Sequence, residues 1–368
     1  MSTIPDVLIV GAGAIGASCA SSLAAAGARV TLLERPGPVG AAWHASAGML
    51  AAQIEAQPDD PLFDLALAGR EYLVDNTPLL AAATGVDIGL APCGILQVAR
   101  SDEQADALKH RVGWQRQQAL RADWLDDDEV ADGWRWLSPC RGAFWSPEDG
   151  SLDPQQLVAA FRANAVRLGA RLVSDTALGL DLGNDALRGV IGERERYAAG
   201  TVIIAAGAWS GRLGSLPRPL SVEPLRGQMM AFPWPAAAAP AIVYGDHCYL
   251  LRRGNEMLVG STMEHAGFDA NVTEAGLTGL QARASQVYPA LAAMQPIRTW
   301  AGLRPGTPDG LPIIGPDPHL PGLWYATGHG RNGILLSGIT GDLVARAISG
   351  LLLGEELQAF RPERFWDW

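Results

Sequence analysis

The run Gly11-Ala12-Gly13-Ala14-Ile15-Gly16 constrains this chain more than any other feature. It follows Val7-Leu8-Ile9-Val10, an apolar run suited to a strand buried on both faces of a parallel sheet. After it, small residues from Ala14 to Ala26 predict a helix stopped by Gly27, and Arg29-Val30-Thr31-Leu32-Leu33 predicts a second strand closed by Glu34. Strand, glycine turn, helix and strand in this order make a βαβ unit. Gly11 allows the tight turn, Gly13 lets backbone approach a pyrophosphate, and Gly16 lets helix and strand pack closely. The helix start offers free N–H groups and partial positive charge to phosphates. Glu34, 23 residues after Gly11, is placed to accept hydrogen bonds from a ribose. Arg35 beside it hints at a 2′-phosphate, but the carboxylate weighs more. The fingerprint alone serves NAD and FAD equally.

From about 86 to 150 the texture changes, with Trp114, Trp124, Trp134, Trp136 and Trp145 and the acidic run Asp126-Asp127-Asp128-Glu129. That run reads as a solvated helix start. From 151 the α/β pattern returns. Asp153 and Gln156 predict a capping box with Pro154 at the first helical position, and Leu157, Val158, Phe161, Ala165 and Leu168 form a helical stripe. Thr201 to Gly207 predicts another buried strand entering a glycine turn. Past 220 the chain turns to β, with strands expected over His247–Arg252 and Glu256–Thr262 around Gly254-Asn255. Helices are expected over about 273–293 and 338–349, and a plain loop over Pro235–Pro240.

Composition narrows the function classes. The 368 residues are 48% hydrophobic and 18% charged, enough for a large core and against disorder. Net charge is −11, which argues against a nucleic-acid partner. The uncharged stretch from Val7 to Ala28 has no basic residue before it and carries four glycines, so neither a signal peptide nor a membrane span is expected. Cys19, Cys93, Cys140 and Cys248 are scattered without ligand-like spacing, so no metal site is expected and a reducing cytoplasm is the default.

Several runs together resemble the D-amino-acid oxidase-like flavoenzymes, and within them the bacterial glycine oxidases of thiamine biosynthesis. They are Ala45-Ser46-Ala47-Gly48-Met49-Leu50, Ala205-Ala206-Gly207-Ala208-Trp209-Ser210, Asp246-His247-Cys248-Tyr249 and the stretch Gly260 to Gly267. The most specific are Ala301-Gly302-Leu303-Arg304-Pro305-Gly306-Thr307 and Gly328-His329-Gly330-Arg331-Asn332-Gly333-Ile334-Leu335. The resemblance covers essentially the whole chain. It implies an α/β Rossmann-like FAD-binding domain with a parallel sheet (1–85, 151–220 and 303–368) and a second, mainly antiparallel β substrate domain of α+β type (86–150 and 221–302).

Carried onto this sequence, the resemblance places FAD against Gly11, Gly13, Ala14, Ile15, Gly16, Glu34 and Arg35, with Ala42, Trp43, Ala47, Gly48 and Met49 near the isoalloxazine. Leu178 falls on the adenine side and Gly207 on the same cofactor. Backbone N–H groups of His329, Gly330, Arg331, Asn332, Gly333, Ile334 and Leu335 would line the flavin's polar edge. Position 330 is often aromatic in such enzymes and is Gly here, so a packing face is missing. In related dimethylglycine and sarcosine dehydrogenases a Trp-His pair near Trp43-His44 carries FAD covalently. Here His44 lies one residue further from the Ala-Gly pair, which favours FAD held without a covalent bond.

For the substrate, Arg304 and Arg331 sit in Gly/Pro-rich turns and offer planar forks for a carboxylate, a structural ion pair being the alternative. The resemblance makes Arg304 the carboxylate anchor and adds Tyr249 as a phenolic donor. His247, Met263 and Met49 would line the pocket, with ordinary packing as their alternative. The activity implied is oxidative deamination of glycine, and of small amines such as sarcosine or D-alanine, by hydride transfer to flavin N5. The products are an imine, then glyoxylate, ammonia and hydrogen peroxide with molecular oxygen as acceptor, and the imine could feed thiazole synthesis. The resemblance also implies a homo-oligomer, a homotetramer. Two other readings stay open: a dehydrogenase for glycine, sarcosine or D-amino acids passing electrons to a quinone or partner subunit, and a flavin-binding subunit without turnover.

Overall fold

The computed structural model describes residues 6–37, 39–184, 186–235, 242–351 and 355–366. The loop expected over Pro235–Pro240 lies, beyond Pro235, outside the described residues.

The βαβ unit forms as its sequence dictates. Val7–Val10 pairs in parallel with Val30–Glu34 on one side and with Thr201–Ile204 on the other. The sheet extends to Arg171–Ser174 at one edge and through Leu323–Thr327 to Ile313–Pro316 at the other, six strands in all, with only the last pair antiparallel. Val7 and Ile9 point into a core shared with the helices Ala14–Ala25, Pro154–Arg167 and Ser337–Ile348. Leu8 and Val10 point the other way, into a core shared with Leu180, Val190 and Tyr197 of a three-stranded sheet. Burial on both faces is why this strand carries no polar alternation.

The second large sheet has eight strands and is antiparallel except where Ile242–Gly245 runs beside Ile95–Val98. Its two longest strands pair at one edge: Arg298–Gly306 is the edge strand and Glu223–Pro233 its neighbour. The latter continues to Gly306, so the domain boundary expected between 302 and 303 falls inside a strand. One face packs on the helix Glu274–Val287 through Leu280, Ala284 and Val287. The other carries Met229, Leu251 and Leu258 and packs against Ala47, Ala51 and Ile54. This second face holds the site.

Two local expectations need correction. The helix at Pro154 starts with Asp153 accepting from the N–H of Gln155 and Gln156, but no reciprocal Gln156 bond closes a box there. A complete capping box occurs instead in the acidic run, where Asp126 and Glu129 exchange hydrogen bonds at the start of Asp127–Gly133. The run is thus an exposed helix start, as expected, with Asp126 and Glu129 bonded to backbone. Finally, His247 does not begin a strand. Asp246 and His247 have φ of 50° and 57° and form the two-residue turn of a hairpin between Ile242–Gly245 and Cys248–Arg253. His247 thus projects from a turn.

Candidate active site

A cavity of about 780 Å³ runs between the two large sheets. At one end stands the glycine turn. Gly11 has φ of 100°, and a Cβ there would fall 2.5 Å from the carbonyl oxygen of Ala205, so the turn tolerates no side chain. A Cβ on Gly16 would fall 1.8 Å from the Gly11 carbonyl oxygen. Gly16 accordingly packs helix on strand and does not reach the cavity, as its expected role in packing demands, but not as a cofactor contact. Gly13, Ala14 and Ile15 do line it. The helix they open has no side-chain cap and no acidic residue in its first turn, so its N–H groups and positive end face the cavity uncompensated.

Glu34 and Arg35 line the same end. Glu34 accepts the N–H of Ala12, which locks the glycine turn to the end of the second strand. Arg162, not anticipated from sequence, braces this corner. Its Nε donates to Ala12 O at 2.7 Å, and its guanidinium lies 5.1 Å from the Trp43 ring. Arg35 stacks on Trp209 at 4.1 Å. Leu178 is displaced from its expected place. It is exposed and outside the cavity, because its carbonyl is tied to Gly214 N; Asp175, Thr176 and Ala177 form that wall instead.

The middle of the cavity is walled by Ala42, Trp43, Ala47, Gly48 and Met49 on one side and by Gly207 on another. Trp43 Nε1 is buried there without a hydrogen-bond partner. His44 stacks on Trp43 with ring centroids 3.5 Å apart, is itself exposed, and does not line the cavity. His329, Gly330, Arg331, Asn332, Gly333 and Ile334 close the far wall. Leu335 lies behind them, buried in the helix-side core. The His329 ring is buried, shares a hydrogen bond between Nε2 and Thr340 Oγ1 at 3.0 Å, and burial drives its pKa down to about 3. His329 is therefore neutral across the working pH range.

An elongated cleft with an anion-friendly helix start, a carboxylate beside it, a buried unpaired indole N–H and a Gly-rich wall fits a dinucleotide cofactor such as FAD. Among the described residues no cluster of His, Cys, Asp or Glu suits a metal ion, and no helix is long and apolar enough to cross a membrane.

At the other end the strand Arg298–Gly306 brings in Arg304. Its Nη1 donates to Thr262 O at 3.1 Å and its Nη2 to Ser261 Oγ. No carboxylate among the described residues forms a salt bridge with it. Burial pulls its guanidinium below the ordinary arginine range, with nearby Tyr249 acting the opposite way. Tyr249 donates its hydroxyl to Met229 Sδ at 3.2 Å, and burial pushes its pKa up to about 12, so it is a donor at neutral pH. Met49, His247 and Met263 line this end as expected; Met263 is 61% exposed and lies at the mouth.

Arg331 is paired after all. Its Nε lies 3.0 Å from Glu55 Oε2. Glu55 and Tyr244 both line the cavity and were missed. Glu55 did leave a signal: it is the only Asp, Glu, Lys or Arg between Arg35 and Asp59. A lone charge in an apolar run calls for a reason.

A family model described as FAD dependent oxidoreductase matches residues 6–347. The chain is 36% identical to a glycine oxidase of Geobacillus kaustophilus over 346 residues, covering 92% of each. It is 33% identical to the bifunctional protein ThiO/ThiG of Synechocystis over 99% of this chain, spanning only 55% of that longer protein. The crystal structure of glycine oxidase from Geobacillus kaustophilus superposes with a TM-score of 0.91 at 33% identity, covering 99% of both chains.

Proposed function

The chain belongs to this family of FAD-dependent oxidoreductases, and from that premise we propose that it is a glycine oxidase, converting glycine, oxygen and water to glyoxylate, ammonia and hydrogen peroxide. Sarcosine and D-alanine are expected as further substrates. The observation that carries the reading is Arg304: a mostly desolvated guanidinium with no salt bridge among the described residues, beside a phenol donor, in a cavity continuous with the cofactor cleft. A cation so placed selects a small carboxylate. Expected features that go with this reading are a cytoplasmic location, a homo-oligomeric state, and a cofactor half built on the six-stranded sheet facing a substrate half built on the eight-stranded one.

Gly13, Ala14, Ile15, Glu34 and Arg35 would hold the nucleotide part of FAD, and Ala42 to Met49 with His329 to Ile334 its ring system. FAD supplies the acceptor for the hydride equivalent removed from the substrate's α-carbon. The protein's own part is position. Arg304 holds the carboxylate and Tyr249 donates a second hydrogen bond to it, which fixes the α-carbon relative to the ring wall. Met49 and the apolar wall exclude water. Glu55 is committed to Arg331 and His247 stands at the mouth, so no side chain is assigned as base. The substrate must then enter with its amine already neutral.

The test is anaerobic bleaching of the purified protein's flavin by glycine, sarcosine and small D-amino acids, followed by peroxide detection in air. Strict dependence on an added quinone would favour a dehydrogenase, and a flavin bleached by no amine would favour a non-catalytic subunit. kcat/KM should rise with deprotonation of the substrate amine and survive His247→Ala; loss of turnover with binding intact would require an enzymic base. Acid should release the flavin into the supernatant. Flavin left in the pellet and freed by His44→Ala would point to covalent attachment.

A further inference from the structure

Arg304, Arg331 and Glu55 line the substrate end of the cavity, and Arg283 lines the same cavity near the His247 turn. Among the described residues Arg304 forms no salt bridge, although Glu55 lies near enough to act on its charge, while Arg331 is held by Glu55 at 3.0 Å. The Glu55 side chain is 14% exposed and that of Arg331 52%, so the pair sits where the cavity opens.

Glu55 is fixed from behind by a buried polar network. Gln53 N and Ile54 N donate to Asp149 Oδ2 at 3.1 and 3.0 Å, and Ile54 O accepts from Arg111 Nη1 at 2.7 Å. Gln53 is locked in turn by side-chain bonds with Gln115 and Arg70. Asp149, Gln53 and Gln115 are fully buried. Four side chains therefore converge on the two residues before Glu55. The backbone that carries Glu55 is thus a fixed part of the wall, and its carboxylate is held there by Arg331.

We propose that Glu55 is a specificity-determining residue: its carboxylate occupies Arg331 as an internal stand-in for a second acidic group, so the site accepts amines carrying one carboxylate and refuses those with a second acidic arm. The proposal rests on the reading of Arg304 as the anchor. With one carboxylate on Arg304, a substrate such as iminodiacetate extends its other arm from the nitrogen. Of the other cations lining the cavity, Arg331 is the one close enough to act on the charge of Arg304, and so the one placed to receive that arm; Glu55 stands on it. Like charges brought together there repel, and repulsion is the usual device for rejecting a near-miss ligand. Glycine and sarcosine have no such arm and are untouched.

The test is calorimetric binding to the holoenzyme of two ethers that lack the oxidisable amine. Ethoxyacetate has one carboxylate, and diglycolate has a second at the end of a similar arm. The wild type should prefer ethoxyacetate. Glu55→Gln should shift the ratio of the two dissociation constants towards diglycolate by about tenfold or more, the scale of a charged hydrogen bond regained. Adding Arg331→Gln should abolish the shift. A ratio unmoved by Glu55→Gln, or a shift that survives the double substitution, overturns the proposal. Should Glu55→Gln fail to fold, Glu55→Asp retracts the carboxylate by one methylene and should move the ratio the same way; no movement overturns it equally. Arg304→Ala separates the two readings. If it weakens ethoxyacetate while Glu55→Gln leaves the ratio unmoved, only the Glu55 proposal fails. If it leaves both ligands unaffected, the anchor reading fails and takes this one with it.

Discussion

Arg304 can be displaced without being touched. Gly227 lies on the neighbouring strand Glu223–Pro233, opposite Gly302, and the Arg304 guanidinium is laid across it. A Cβ built on Gly227 would stand 2.2 Å from Nη1, 2.4 Å from Nη2 and 2.5 Å from Cζ. Comfortable heavy-atom contact needs about 3.5–4.0 Å, so Gly227→Ala forces the guanidinium back by more than about 1 Å. The backbone at Gly227 is ordinary paired strand, which alanine adopts freely. What yields is the tip of a flexible side chain, so the fold should hold. A misplacement of about 1 Å in a positioning group costs roughly 10²-fold. Gly227→Ala should therefore lower kcat/KM for glycine by about 10²-fold, mostly through KM, with an unchanged flavin spectrum and melting temperature. Arg304→Ala sets the scale: loss of a partner for a desolvated charge costs about 3–5 kcal/mol, or roughly 10²–10⁴ in kcat/KM. Peroxide-coupled steady-state kinetics on both variants decide the matter. If Arg304→Ala is crippled while Gly227→Ala stays within about threefold of wild type, the stacking against Gly227 does not position the anchor and the reasoning is wrong.

Other perturbations have defined outcomes. Tyr249→Phe removes one hydrogen bond to a charged group, about 1.5–3 kcal/mol, so kcat/KM should fall by about 10–100-fold, less than for Arg304→Ala; an equal or larger loss would give the phenol a role beyond anchoring. Gly16→Ala would drive a methyl into the Gly11 carbonyl, so soluble protein should be scarce and its ratio of flavin to protein absorbance low; a normally yellow variant would contradict the packing. Arg70→Met strands the Asp149 carboxylate, which Arg70 Nη1 meets at 2.9 Å, and should cost about 3–5 kcal/mol at neutral pH. Burial already pushes Asp149 above its ordinary 3.8 against the pull of Arg70. Without Arg70 the folded state holds that proton more tightly than the unfolded chain, so stability is lost as pH rises through the window above 3.8. Urea unfolding should then show a smaller deficit near about pH 4 than near about pH 7.5, and equal deficits would speak against a stranded carboxylate.

The sequence by itself determined the βαβ start, the glycine turn, Glu34 at the strand end and the helix at Pro154. Each rests on neighbours within a few residues: apolar runs, capping side chains, glycines that must lack a Cβ. It also marked Arg304, since a charge within a Gly/Pro-rich run is conspicuous, whereas Tyr249 came only with the family resemblance. Where the signal was local but the partner distant, the reading slipped. Leu178 was assigned a ligand that its backbone pairing with Gly214 turns it away from. For Arg331 the sequence left a carboxylate anchor and a structural ion pair both open, and only the fold set Glu55 beside it, 276 positions earlier in the chain. The Asp149 network joins residues 95 and 96 positions apart. Only the tertiary structure decided which charges are neutralised and which face the cavity. Coulomb energy depends on separation and solvent access in space, and neither can be read along a chain.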